Sequence, residues 1–287
     1  MVNKSSGDGM ETDFVVALNH MAAPALDVPR FFDLAADLGC RGVEIRNDLG
    51  DDAVAGGLAA EEVARLAAQR GLTILSINAL QRFNDWTEAR AEEARALADY
   101  ARRCGAPALV LVPVNDVGWM PPPEERRAGL RRALSGLAPI LAEAGILGLV
   151  EPLGFEICSL RSKREALEAI DELGLDERFR LVHDTFHHHL AGEGELFPER
   201  TGLVHISGVE DRAVPLAGLR DAHRVLVGPA DMIGNAVQIR VLRAGGYRGP
   251  FSFEPFAASV HADPDIAGSL RASVGHLSAA LARMAAE

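Results

Sequence analysis

Four places along this chain hold side chains that could bind a metal or move a proton: Glu151-Pro152, Leu181-Val182-His183-Asp184-Thr185-Phe186-His187-His188-His189, His205 and Glu254-Pro255. In the second, a carboxylate and an imidazole lie three residues apart at the end of an apolar run, the pattern of a buried strand opening into a site. Taken alone, Asp184 reads equally well as the cap of a following helix, with the histidines in solvent. The other three change the balance, because each also stands at or near the end of an apolar run. Three carboxylates gathered at one spot repel one another strongly unless a cation neutralises them. Three oxygens and one imidazole suit Mn2+ first, with Co2+, Mg2+ or Zn2+ as alternatives, and leave positions for two oxygens of a substrate.

Gathering those residues requires a particular set of elements. Eight short β-rich runs, Phe14–Leu18, Gly42–Ile45, Thr73–Asn78, Ala108–Val112, Leu147–Glu151, Arg180–Asp184, Leu203–Ser207 and Phe251–Glu254, alternate with helical patterns. Leu130, Leu134, Leu137 and Leu141 form one apolar stripe, and Ile266, Leu270, Val274, Leu277, Leu281 and Met284 another. Gly39, Gly71, Gly105, Gly145 and Gly245-Gly246 stand where helices should stop, and Asp263-Pro264 where the last should start. Alternation with connections of this length predicts parallel strands, and eight repeats predict a closed (β/α)8 TIM barrel over residues 14–287 as a single domain. A doubly wound open sheet is the alternative, but Leu18-Asn19-His20-Met21 stands where its glycine-rich turn would follow the first strand. In a barrel, strands five, six, seven and eight would deliver Glu151, Asp184, His205 and Glu254 to one mouth.

A net charge of -12 over 287 residues speaks against a nucleic-acid partner, and the paired arginines fall on helical stretches among acids. The longest apolar region, Leu134 to Val150, is broken by Pro139, Glu143 and glycines, so no membrane span is expected. Cys40, Cys104 and Cys158 are widely spaced and odd in number, which suits reduced thiols in a cytoplasmic protein. Residues 1–13 are polar and read as a disordered lead-in. Assembly as a homodimer or homotetramer is left open.

The chain resembles the xylose-isomerase-like barrels of sugar isomerases and epimerases, and among them most closely the inosose (2-keto-myo-inositol) isomerases of inositol catabolism. The resemblance runs through Val43-Glu44-Ile45-Arg46, Asn78-Ala79-Leu80 with Phe83-Asn84, Leu181 to His187, His205-Ile206-Ser207-Gly208-Val209-Glu210-Asp211 and Ser252-Phe253-Glu254. It implies Glu151, Asp184, His205 and Glu254 as metal ligands, His187 as a contact to a substrate oxygen, and Arg224 as a second substrate contact. Glu156 and Arg161, in a segment unlike the better-known members, are further candidate substrate contacts, or else an ion pair within their loop. Where the family carries Pro-Gly-x-Gly after the arginine, this chain has Val227-Gly228-Pro229-Ala230.

The implied reaction moves a carbonyl between adjacent carbons of a cyclic polyol through an enediolate, with Glu151 and Glu254 as the acid–base pair. His188 and His189 are expected outside the site, and His183 is expected to face the helices because it precedes Asp184 on one strand. His20, Asn78, Glu44 and Arg46 are weaker candidate substrate contacts. Ketose 3-epimerisation, inosose dehydration and keto-glycoside cleavage need the same ligands, and a non-catalytic sugar-binding barrel is the reading from a different class.

Overall fold

Apolar β-branched runs that end in a polar residue pass, repeat after repeat, into amphipathic helices. The computed structural model, which describes residues 15–50, 53–119 and 121–286, closes these runs into a barrel. Its strands are β1 (Val16–Asn19), β2 (Gly42–Arg46), β3 (Thr73–Gln81), β4 (Ala108–Val112), β5 (Leu147–Val150), β6 (Phe179–Asp184), β7 (Thr201–Ile206) and β8 (Phe251–Phe253). They pair in parallel in sequence order, and β8 closes on β1 through Val16 with Phe251. The expected (β/α)8 barrel is therefore the fold. The expected lead-in over residues 1–13, and Phe14 at the start of the first run, lie outside the described residues.

The helices are α1 (Val28–Asp37), α2 (Ala60–Gln69), α3 (Glu88–Cys104), α4 (Pro123–Ala144), α5 (Lys163–Glu172), α6 (Thr185–Ala191), α7 (Asn235–Ala244), the short α8 (Ala258–His261) and α9 (Ile266–Ala286). The leucine stripe of α4, Leu130, Leu134, Leu137 and Leu141, is buried against the barrel. Gly105 and Gly145 end α3 and α4 in the left-handed region, at φ 81° and 70°, where a side chain would be strained. The start of α9 differs from expectation. Asp265 accepts from the Gly268 amide at 3.0 Å and Asp263 from the Asp265 amide at 2.8 Å, and the helix begins at Ile266, two residues later than Asp263-Pro264 suggests. Among the described residues, no helix is long and apolar enough to cross a membrane. Cys40, Cys104 and Cys158 are free and buried.

The twofold period of a strand sorts the side chains that matter. Leu109, Leu111, Val150, Leu181 and Val204 face the helices in the main core, while Ala108, Val110, Leu149, Val182 and Leu203 fill the barrel interior as a separate cluster. Two positions further along from Leu149, Val182 and Leu203 come Glu151, Asp184 and His205, so alternation turns all three inward at the C-terminal mouth. By the same period His183 turns outward.

Candidate active site

Glu151, Asp184, His205 and Glu254 converge as the pattern requires. One ligand atom from each lies within 4.8 Å of all the others, and all four residues are buried. His205 Nδ1 is 2.9 Å from Glu151 Oε1, 3.2 Å from Glu254 Oε2 and 4.0 Å from Asp184 Oδ2. Donors around a single divalent ion at ~2.1 Å stand up to ~4 Å apart, so this donor set fits one ion with little rearrangement. Asp184 also serves as the cap that its position allows. Its Oδ1 accepts from the His187 amide at 2.9 Å at the start of α6, while its Oδ2 faces the site. The structural and the metal-ligand readings of Asp184 use different oxygens of one carboxylate.

The opposite edge of the imidazole sets its tautomer. His205 Nε2 is 3.1 Å from Glu44 Oε2, and that oxygen also accepts from Ser76 Oγ at 2.7 Å. A carboxylate only accepts, so Nε2 carries a proton, and Nδ1, which faces the three acids, carries the one that an incoming ion would displace. Glu44, a weaker candidate for substrate contact, is 0% exposed and orients His205 instead. Burial opposes charge on His205, but Glu254, Glu44 and Glu151 outweigh it and hold its pKa well above the ordinary imidazole value.

The two glutamates at the mouth have unlike surroundings. Glu254 Oε1 accepts from Arg46 Nη1 at 2.8 Å and Asn19 Nδ2 at 3.1 Å, and its Oε2 from Arg224 Nη2 at 2.9 Å. Burial would raise its pKa, yet His205, Arg224 and Arg46 hold it far below the usual carboxylate range. Burial is the largest influence on Glu151 and, offset only in part by His205, leaves its pKa raised.

Arg224 reaches the site on a pinned backbone. Gly208 and Val225 exchange two hydrogen bonds at 2.7 and 2.9 Å, and the Arg224 carbonyl accepts from the amides of Phe256 and Ala257 at 2.9 and 2.8 Å. Its guanidinium donates to Asp184 at 2.6 Å, Glu254 at 2.9 Å, Ser207 at 3.1 Å and Asp221 at 3.3 Å, and stacks on Phe256 with 4.5 Å from carbon to ring centre. Expected as a substrate contact, Arg224 is thus committed to the acids of the site, and one edge of it lines the cavity above them.

That cavity, about 320 Å³, is lined by Glu151, Glu254, Arg46, Arg224, His187, Asn78 and Phe256 among others. His187 and Asn78 are 4% and 2% exposed, and His187 Nδ1 and Asn78 Nδ2 are buried without a hydrogen-bond partner. Unpaired buried polar atoms at a cavity wall are what a ligand's hydroxyls would satisfy. Glu156 and Arg161 do not join this wall. Glu156 is exposed on the loop after β5, and Arg161 spends its guanidinium on the carbonyls of Gly154, at 3.1 and 2.9 Å, and Leu190, at 3.4 Å. They line a neighbouring groove instead, and no ion pair joins them. His20 is bonded to the Leu26 carbonyl at 2.8 Å, stacks on Phe31, and is also absent from the wall.

Behind the mouth lies a cluster that the sequence did not suggest. Lys163 Nζ is 3.0 Å from His183 Nδ1 and 2.9 Å from His188 Nδ1, and His183 Nε2 is 2.9 Å from Gln238 Oε1. Gln238 Nε2 donates to the Thr185 and Ile233 carbonyls, so its oxygen must accept from His183, whose Nδ1 is left to accept from the ammonium. Burial lowers Lys163 to about 8 and His188 to about 4. Among the expected bystanders, His183 and His188 bind this lysine, and none of His183, His188 and His189 lines the cavity. One signal was available: the chain has only two lysines, Lys4 and Lys163, among its 29 basic side chains.

The chain is a closed eight-stranded TIM barrel whose C-terminal mouth gathers three acids and a histidine that could hold a metal ion. The family model for the xylose isomerase-like TIM barrel matches residues 32–279, and the chain belongs to that family. A xylose isomerase domain containing protein from Salmonella typhimurium LT2 is 36% identical, with a TM-score of 0.83 over 93% of this chain and 97% of that one. The IOLI protein, solved with a binding zinc atom, is 19% identical with a TM-score of 0.81, over 94% of this chain and 99% of its own. L-ribulose 3-epimerase is 19% identical with a TM-score of 0.74, over 95% and 97%. These last two likenesses establish the fold. No curated protein matches.

Proposed function

We propose that this protein is a metal-dependent isomerase that moves a carbonyl between adjacent carbons of a cyclic keto-polyol, with 2-keto-myo-inositol to 1-keto-D-chiro-inositol as the reaction to test first. The observation that carries the reading is the placement of Glu151 and Glu254 on one sugar-sized cavity, beside His205 but with different partners. A divalent ion held by Glu151, Asp184, His205 and Glu254, with Mn2+ or Zn2+ foremost, would supply Lewis acidity to a ketone and its neighbouring hydroxyl. The zinc atom of the IOLI structure and the epimerase among the structural relatives support the same chemistry.

The reaction takes the proton from the carbinol carbon beside the ketone, passes through an enediolate, and adds a proton to the former carbonyl carbon. One hydroxyl proton crosses between the two oxygens, so nothing is gained or lost. Glu254, held as a carboxylate by Arg46, Arg224 and Asn19, is the base. Glu151, the other carboxylate on the cavity, is its acid partner, and the two exchange protons with solvent between turnovers. His187 and Asn78 hydrogen-bond ring hydroxyls through their unpaired nitrogens, and Phe256 supplies the flat wall against the ring.

The test is incubation of the Mn2+- or Zn2+-loaded protein with 2-keto-myo-inositol in D2O. Deuterium entering the ring and formation of 1-keto-D-chiro-inositol are expected. Turnover of a free ketohexose or a keto-glucoside in its place would transfer the assignment to an epimerase, dehydratase or lyase. Absence of exchange with all three would leave a sugar-binding barrel.

A further inference from the structure

Beside the reaction cavity lies a second one of about 240 Å³, bounded by the loops after β5 and β7. Phe155, Ile157, Leu190, Leu216, Ala217 and Leu219 give it an apolar lining. The two cavities share Phe155, Asn115 and Asp221, so the groove is a continuation of the reaction cavity. Phe155 forms the divide, with its ring centre 5.1 Å from that of His187 and 6.0 Å from that of Phe186, both edge-on.

Of the four charged residues at the rim, Glu156 is exposed to solvent and the other three are already engaged. Arg161 donates to the Gly154 and Leu190 carbonyls, Arg220 donates to those of Ala217 and Leu219 at 2.9 and 2.6 Å, and Asp221 accepts from Arg224 at 3.3 Å. A sugar hydroxyl entering this groove would meet few free partners, whereas an apolar group would cover Leu216 and Ile157, which are 48% and 36% exposed. We infer that the groove is a substituent subsite, and that the substrate is a keto-polyol ring carrying an apolar, preferentially aryl, group through an ether or glycosidic oxygen. This rests on the ring occupying the cavity of Glu151 and Glu254 as proposed above. The shared Phe155 makes one ligand spanning both spaces the occupant, in preference to a second copy of the chain seated on the groove alone.

Methyl and phenyl β-D-glucopyranoside, and their 3-keto forms, are the probes, used with the full-length Zn2+-loaded protein. Affinity for the phenyl compound should exceed that for the methyl compound by about tenfold or more, as expected for burying one ring. In D2O the same preference should appear in the exchange of the 3-keto pair. Leu216→Asp and Ile157→Asp, at exposed positions that the fold can spare, should each pull the phenyl-to-methyl ratio towards one with the melting temperature unchanged. A wild-type ratio near one, or a ratio that survives both substitutions, would overturn the subsite. So would a ratio near one together with a dimer that the same substitutions dissociate. If neither keto probe exchanges, the isomerase reading is still decided by 2-keto-myo-inositol as above, and the binding ratio decides the subsite by itself.

Discussion

Replacing Glu44 tests whether His205 is held ready for a metal. Glu44→Gln keeps size and shape, retains an oxygen for His205 Nε2 at the present 3.1 Å, and removes one negative charge from a residue that is 0% exposed. The imidazole then loses basicity and part of its fixed orientation, for which the expected loss of metal affinity is about 10- to 100-fold, or roughly 1.4 to 2.7 kcal/mol. The pH dependence makes the prediction specific. In the metal-free protein the His205 pKa is raised against burial by Glu254, Glu44 and Glu151, so below that raised value an incoming ion must displace a proton. Apparent affinity therefore climbs with pH until the imidazole is neutral. In the variant one of the three raising charges is gone, proton competition begins at a lower pH, and the deficit against wild type should be smallest in acid and largest in base. Competition for Zn2+ with a chromophoric chelator across about pH 6 to 9 measures this. Equal affinities throughout, or a deficit that grows towards acid, would refute the role given to Glu44.

Other substitutions probe the acid–base pair, the lysine cluster and the loop contact. Glu254→Gln should lower deuterium exchange by about 100-fold or more, and unchanged exchange with metal still bound would remove Glu254 as the base. Lys163, 4% exposed, has its folded pKa lowered to about 8 from 10.5, so the unfolded chain holds more protons between those values and stability rises with pH there, by at most about 3 kcal/mol. Lys163→Met should abolish that rise in urea unfolding, whatever the variant's absolute stability, and parallel pH profiles would contradict the buried ammonium. A Cβ at Gly154 would stand 2.3 Å from the His187 carbonyl oxygen and 2.4 Å from Leu190 Cβ, so Gly154→Ala should cost about 1 to 3 kcal/mol and raise KM, because the loop after β5 must lift off α6. A wild-type melting temperature would show that the loop yields freely.

What could be read from the sequence follows the range of the physics involved. Strand periodicity is local, so alternation from Leu149, Val182 and Leu203 sufficed to aim Glu151, Asp184 and His205 inward, and eight repeats sufficed for the barrel. Glu44 lies on the far side of the barrel from β7, and only three-dimensional closure shows that it reaches His205, 161 positions away. Arg224 was visible as a residue but not as a partner of Asp184 and Glu254, since its approach depends on the Gly208 and Val225 backbone pairing across a loop. Glu156 and Arg161 fall outside the reaction cavity, since adjacency to Glu151 in sequence says nothing of which side of Phe155 a loop residue occupies. Lys163 left a trace in the scarcity of lysine, though composition alone cannot name its histidine partners.

The Asp184 segment joins folding and chemistry closely enough that the two should fail together. One oxygen of Asp184 starts α6 and the other faces Arg224 and His205, so a shift of α6 moves a candidate ligand by the same amount. Two further contacts hold that helix: Lys163 reaches His188 on α6 from the first residue of α5, and Gly154 packs directly on the His187 carbonyl. The outward-facing His183 is tied to the same lysine, so residues on both faces of β6 share one scaffold. A buried ammonium between two neutral imidazoles contributes little net stability, since its desolvation opposes its hydrogen bonds. Its effect is on placement, because few other arrangements of α5, β6 and α6 would satisfy all three groups at once. His188 thus lies outside the reaction cavity yet anchors to Lys163 the same short helix that Asp184 caps and His187 sits on.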